Sequence, residues 1–190
     1  MQRLFISLLA LLFGTMVAQA QIVIKPAVGV NFTDLSKDEG GEFKAKTGWQ
    51  LGGYVMLSEH KWYLEPGIFY IEKSTKFDSA GSSSSHFDFN ISGIRIPVSI
   101  GYNFGDEKST VNFRIFGGGS AFILTNTKNL NKDDLKSAQW GVYAGAGLDF
   151  SLLFIDASYE WSLTNLSDVD NVDIGKTRAV FIHAGIRLKL

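Results

Sequence analysis

Two carboxylates four residues apart, Asp156 and Glu160, are the first place in this chain where chemistry could sit. Paired carboxylates hydrolyse glycosides when they lie roughly 5–9.5 Å apart. In an extended strand a four-residue separation is about 13 Å, so the pair reads as two ion-pair partners on one face. Histidine offers little more. His60, His86 and His183 are the only three, and no two have metal-ligand spacing. His86 with Asp88 and the run Ser82–Ser85 supplies the residue types of a hydrolase site, but on a Gly/Ser-rich stretch without the rigid support that positioned chemistry needs. The segment Asp168-Val169-Asp170-Asn171-Val172-Asp173 is dense in acidic oxygens. It lacks the glycine and the fifth-position oxygen ligand of a calcium loop, so it reads as a solvated acidic loop. No catalytic residue, metal or cofactor is expected.

A larger set of charges shares a different pattern. Lys25, Glu65, Lys73, Asp88, Arg95, Arg114, Asp149, Asp156, Glu160 and Arg187 all fall on the polar face of segments that alternate apolar with small or polar residues. They are five cations and five anions. Charges of both signs on the inner wall of a narrow barrel would pair across it, because an unmatched buried charge is costly.

The elements that position these residues are strands. The period is two almost throughout. Eight strands are predicted at about 22–32, 46–58, 62–75, 86–104, 110–124, 138–150, 153–163 and 177–190. Their length exceeds the five to six residues of an average soluble strand and reaches the 9–11 needed to cross a membrane at a tilt. Phe87, Phe89 and Ile91 fall out of phase with Ile94, Ile96 and Val98, which predicts a β-bulge at Ser92-Gly93. A two-residue turn at Ser151-Leu152 would pair Phe150 with Leu153, Asp149 with Phe154 and Leu148 with Ile155. Each pair then shares a face, as direct partners must.

Between strands, connections of about 33–45, 76–85, 125–137 and 164–176 alternate with short ones at 59–61, 105–109 and 151–152. This describes an all-β, antiparallel, up-and-down barrel of eight strands with long loops at one end and tight turns at the other. Within the third long loop, Asn131–Lys136 could form one capped helical turn. Aromatic residues fall at strand ends, namely Phe32, Trp49, Trp62, Tyr102, Phe104, Trp140 and Trp161. They suit the interfacial girdles of a transmembrane barrel. A soluble, lipocalin-like ligand-binding barrel with inverted faces is the alternative fold reading.

Composition narrows the class. The 190 residues carry 18 Lys+Arg against 19 Asp+Glu, no Cys and 20 Gly. A net charge of −1 excludes a nucleic-acid binder that works by phosphate neutralisation. Absence of Cys excludes thiol catalysis, Cys-bound zinc and iron–sulfur clusters. Residues 1–20 read as a signal peptide: Arg3, then an apolar run from Leu4 to Phe13, then Ala18-Gln19-Ala20 before the cut. That run is too short to span a bilayer. The mature domain is then 21–190.

Several motifs carry a family likeness. These are the strand with Gly29-Val30-Asn31 after Ala18-Gln19-Ala20, the hairpin Trp62-Tyr63-Leu64-Glu65-Pro66-Gly67, and the strand from Ile94 through Pro97 to Phe104. Together they resemble the PorT-like outer-membrane β-barrel family of Bacteroidota. The resemblance implies an outer-membrane barrel and identifies a barrel type rather than a reaction. A structural or surface-interaction role is expected, through long extracellular loops above a charge-plugged lumen, with outer-membrane lipid as surroundings. An extracellular ligand or protein at the loops is the expected partner, and a monomer the expected state. The functional alternative is a narrow channel or a transport or secretion accessory.

Overall fold

Alternation alone makes each strand two-faced, and a two-faced sheet in a membrane must close, because an open edge would leave backbone N–H and C=O groups unsatisfied. The computed structural model describes residues 21–35, 46–77, 87–105, 109–128, 138–164 and 177–190. The strands are β1 (Gln21–Leu35), β2 (Lys46–Glu59), β3 (Trp62–Phe77), β4 (Phe87–Asn103), β5 (Val111–Lys128), β6 (Ala138–Phe150), β7 (Leu153–Ser162), β8 (Thr177–Ile186) and the short β9 (Leu188–Lys189). From β1 to β8 each pairs antiparallel with the next, and β1 pairs with β2 on one side and with β8 and β9 on the other, closing the barrel. Arg187 interrupts the last stave, so the strand expected over 177–190 is two segments in one continuous register with β1. The signal peptide, the Ser82–His86 stretch, the helical turn at Asn131–Lys136 and the acidic segment Asp168–Asp173 lie outside the described residues.

One circuit of pairing sets the barrel's dimensions. Gln21 faces Ser58, then Tyr63, Gly101, Phe116, Gly145, Ser158, Phe181 and finally Asn31, back on β1 and ten residues further on. Eight staves with a stagger of ten require a strand tilt of about 41° and a backbone radius of about 8 Å, taking a 3.3 Å rise and 4.8 Å spacing. An interior of this width is one that side chains can fill.

The hairpin at Ser151-Leu152 has the register expected of it, with Phe150 on Leu153, Asp149 on Phe154 and Leu148 on Ile155. Its first turn residue, Ser151, has φ 54°, and the equivalent His60 of the β2–β3 hairpin has φ 57°. A positive φ at the first loop position belongs to the primed turns that match strand twist, where glycine is the usual occupant.

The predicted bulge is corrected in one respect. The register does shift at Ser92/Gly93, but the extra residue is Thr125 on β5, since Ser92 faces Asn126 while Gly93 faces Leu124. Pairing of β4 with β3 runs through the same point without a break. β4 itself therefore gains no phase correction. The alternation rule located the irregularity but could not say which partner strand would absorb it.

Candidate functional site

The outside of the barrel is apolar and open. Leu51, Ile68 and Ile100 are more than half exposed, as are Val28 and Leu153. An exterior of this kind is stable only against lipid tails, which overturns the soluble-barrel alternative. The aromatic candidates form two bands. Trp62, Tyr102 and Phe104 stack edge-to-face at the tight-turn end, with ring centroids 5.1 Å apart in each successive pair. Tyr102 is half-buried between its two neighbours. Phe32, Trp49, Trp140 and Trp161 lie at the long-loop end of their strands and are exposed. The tilt and stagger separate the two bands by about 23 Å along the axis, close to the ≈ 25 Å apolar band of an outer-membrane barrel.

Inside, eight of the ten predicted charges are buried: Lys25, Glu65, Arg95, Arg114, Asp149, Asp156, Glu160 and Arg187. Lys73 and Asp88 stand on β3 and β4, with side chains outside the described set. The eight divide into two groups.

Towards the turn end, three cations and three anions form a mesh. Lys25 Nζ donates to Glu65 Oε2 at 2.8 Å and contacts Asp156 Oδ2 at 3.4 Å. Arg114 is its centre. Its Nη2 donates to Asp156 Oδ1 at 2.6 Å, its Nε to Asp149 Oδ1 at 3.0 Å and its Nη1 to the Tyr63 hydroxyl at 3.2 Å. Glu65 Oε2 lies 3.9 Å from Arg114 Nη1, and Arg187 Nη1 lies 3.0 Å from Asp149 Oδ2. Two glycines make this approach possible. A Cβ on Gly147 would stand 2.0 Å from Asp156 Oδ1, and one on Gly101 would stand 2.1 Å from the Tyr63 ring.

Towards the loop end, among the described residues, stands one pair. Arg95 donates to Glu160 Oε2 through Nε at 3.0 Å and Nη2 at 2.5 Å, and Ser120 Oγ donates to the same oxygen at 2.8 Å. The Arg95 guanidinium carbon lies 4.4 Å from the Phe181 ring centroid and 5.0 Å from that of Tyr143. Asp156 and Glu160, on one face of β7 with Ser158 between them, thus serve different cations.

Apolar side chains separate and cap these groups. Ala27, Tyr54, Phe69 and Phe154 cluster in the lumen, with Lys25 Nζ 4.1 Å from the Phe154 ring centroid. Ile71, Phe122, Ala179 and Phe181 form a second cluster nearer the loops, with Leu124 packed against it. The interior is a stack of ion pairs and aromatic rings.

Sequence reasoning assigned no role to the lumen aromatics or to His183. That histidine is buried among Tyr54, Phe69 and Phe181, with ring centroids 5.7, 5.0 and 6.3 Å away. The signal existed, since Tyr54, Phe154 and His183 alternate with outward residues. A polar face rich in Gly and charge, however, draws attention away from aromatic residues among them.

A closed antiparallel barrel with an aromatic-belted apolar exterior and a paired-charge interior defines an outer-membrane β-barrel. The chain belongs to the outer membrane protein beta-barrel domain family, whose model matches residues 17–168. No curated protein sequence matches it. Among solved structures, it is similar to the outer membrane protein OprG from Pseudomonas aeruginosa, with TM-score 0.55 and 12% identity over 88% of this chain and 93% of that one. The N-terminal β-barrel domain of Pseudomonas aeruginosa OprF gives TM-score 0.49 and 12% identity over 90% and 100% of the two chains. Ail, the attachment invasion locus protein of Yersinia pestis, gives TM-score 0.49 and 16% identity over 88% and 99%.

Proposed function

We propose that this barrel is a non-conducting scaffold of the outer membrane, exported through a cleaved signal peptide over residues 1–20, which acts through its long loops as a structural or surface-interaction protein. One observation carries the reading: four buried cations meet four buried anions inside a wall about 8 Å in radius. Each ion pair bridges strands, so a solute would have to break several to pass, and paired buried charges hold one another firmly when a partner's loss would strand the other. With the lumen filled, the surfaces left for recognition are the loops that the rigid wall presents. The turn end faces the periplasm in this orientation.

Planar-bilayer recording of the refolded chain tests this directly. The expected trace is silent across salt and voltage. Single-channel steps that change when Arg95 or Arg114 is neutralised would establish the narrow-channel alternative instead. Trimming 77–85 or 165–175 is expected to abolish surface binding while leaving the barrel heat-modifiable on a gel; equal binding by trimmed and intact chains would remove those loops as the site.

A further inference from the structure

The three buried arginines are not equally served. Arg114 engages Asp149, Asp156, Tyr63 and Glu65. Arg95 places two nitrogens on Glu160 and lies against two rings. Arg187 is almost fully buried, yet among the described residues its one ionic partner is Asp149, through Nη1, and its Nε has no hydrogen-bond partner. A guanidinium carries five N–H donors in a planar fork. Arg187 is therefore a buried cation that meets an acid through Nη1 while its Nε stays unpartnered.

It also borders open space. A cavity of about 550 Å³ at the tight-turn end is lined by Arg187 together with Ser109, Thr110, Asn112, Ser151 and Lys189, among others. Three hydroxyls, an amide and an exposed ammonium thus line the same cavity as the arginine, whose one ionic partner among the described residues is Asp149. Asp149 is shared with Arg114, which weakens its hold on Arg187 further. Among the described lining residues there are two cations and no carboxylate, and planar bidentate recognition of carboxylate or phosphate is what a guanidinium edge does best.

We infer that the tight-turn mouth of the barrel, periplasmic in the orientation proposed above, is an oxyanion-binding site, in which Arg187 and Lys189 hold a carboxylate or phosphate group against the hydroxyls of the β6–β7 turn and of Ser109 and Thr110 just before β5. The ligand class is a small oxyanion or the oxyanion end of a larger molecule. The site is distinct from the loop surface at the opposite end and independent of whether the lumen conducts.

Calorimetric titration of the refolded full barrel in a sugar-headgroup detergent, which contributes no phosphate, decides the matter. Inorganic phosphate and acetate are titrated separately to tell the two oxyanion classes apart. A Kd below about 1 mM is expected for at least one of them. Lys189→Gln, at an exposed position, should weaken it several-fold, and Arg187→Lys should weaken it tenfold or more, since an ammonium keeps the charge but loses the fork. If Arg187→Lys does not refold, Lys189→Gln carries the test alone. No heat with either anion at tens of millimolar, or binding unchanged by Lys189→Gln, would overturn the assignment.

Discussion

The two charged groups in the lumen solve one problem in opposite ways. Near the turns, Lys25, Arg114, Arg187, Glu65, Asp149 and Asp156 share partners, so nearly every member touches two others of opposite sign. Near the loops, Arg95 and Glu160 form a single pair among the described residues, with Ser120 on the same carboxylate oxygen and two aromatic rings against the guanidinium. A mesh tolerates the loss of a member because its neighbours keep a counter-ion. An isolated pair does not. The difference is one of redundancy rather than burial, since both sets are almost wholly removed from solvent.

Substitutions can break that comparison. Glu160→Leu should have the largest effect, because it leaves Arg95 buried without a carboxylate; a loss of about 4 kcal/mol is expected, read from urea unfolding in detergent or lipid. Arg114→Met comes next at about 2 kcal/mol, since Asp149 keeps Arg187, and Glu65 and Asp156 keep Lys25. A larger loss than for Glu160→Leu would mean the mesh is a hub rather than a net. Glu65→Gln should cost about 1 kcal/mol, every cation retaining another acid. The double variant Arg95→Met with Glu160→Leu sharpens the point. An apolar pair of similar volume should restore stability to within about 1 kcal/mol of the parent; failure to recover would assign the loop-side pair a role in packing beyond charge matching. The smallest effect lies outside both groups. Ser151→Gly should stabilise the turn by about 0.5 kcal/mol, measured as a small rise in unfolding midpoint.

How much of this could be read beforehand depends on what alternation encodes. Period two reports which side of the wall a residue occupies, so Lys25, Glu65, Arg114 and Asp156 were assignable to the lumen without a structure. Alternation was also consistent with the register of the Ser151-Leu152 hairpin, where Phe150 faces Leu153. It carries no information about stagger. Whether Lys25 meets Glu65 or another acid depends on the ten-residue offset accumulated around eight staves. No local stretch contains that offset. For the same reason the bulge could be located at Ser92-Gly93 but not assigned to Thr125, which lies on the neighbouring strand. Tyr54 and Phe154 fall on the polar face by alternation, but they and Phe181 were given no role there, for a chemical reason. An interior read as polar leaves no place for rings, yet a ring beside a desolvated cation is itself a partner.

Lys25 stands on the first strand, and its acidic neighbours Glu65 and Asp156 follow 40 and 131 residues later. During synthesis its charge therefore waits for β3, and it gains its second acid only with β7. A nascent or truncated chain that stops before β7 would also leave Arg114 without Asp156 and Arg95 without Glu160. Partial barrels of this sequence would hold more buried cations than anions, where the finished one holds four of each among the described residues. Assembly is then all-or-none by electrostatics as well as by hydrogen bonding, and an incomplete copy is marked as incomplete by its own interior.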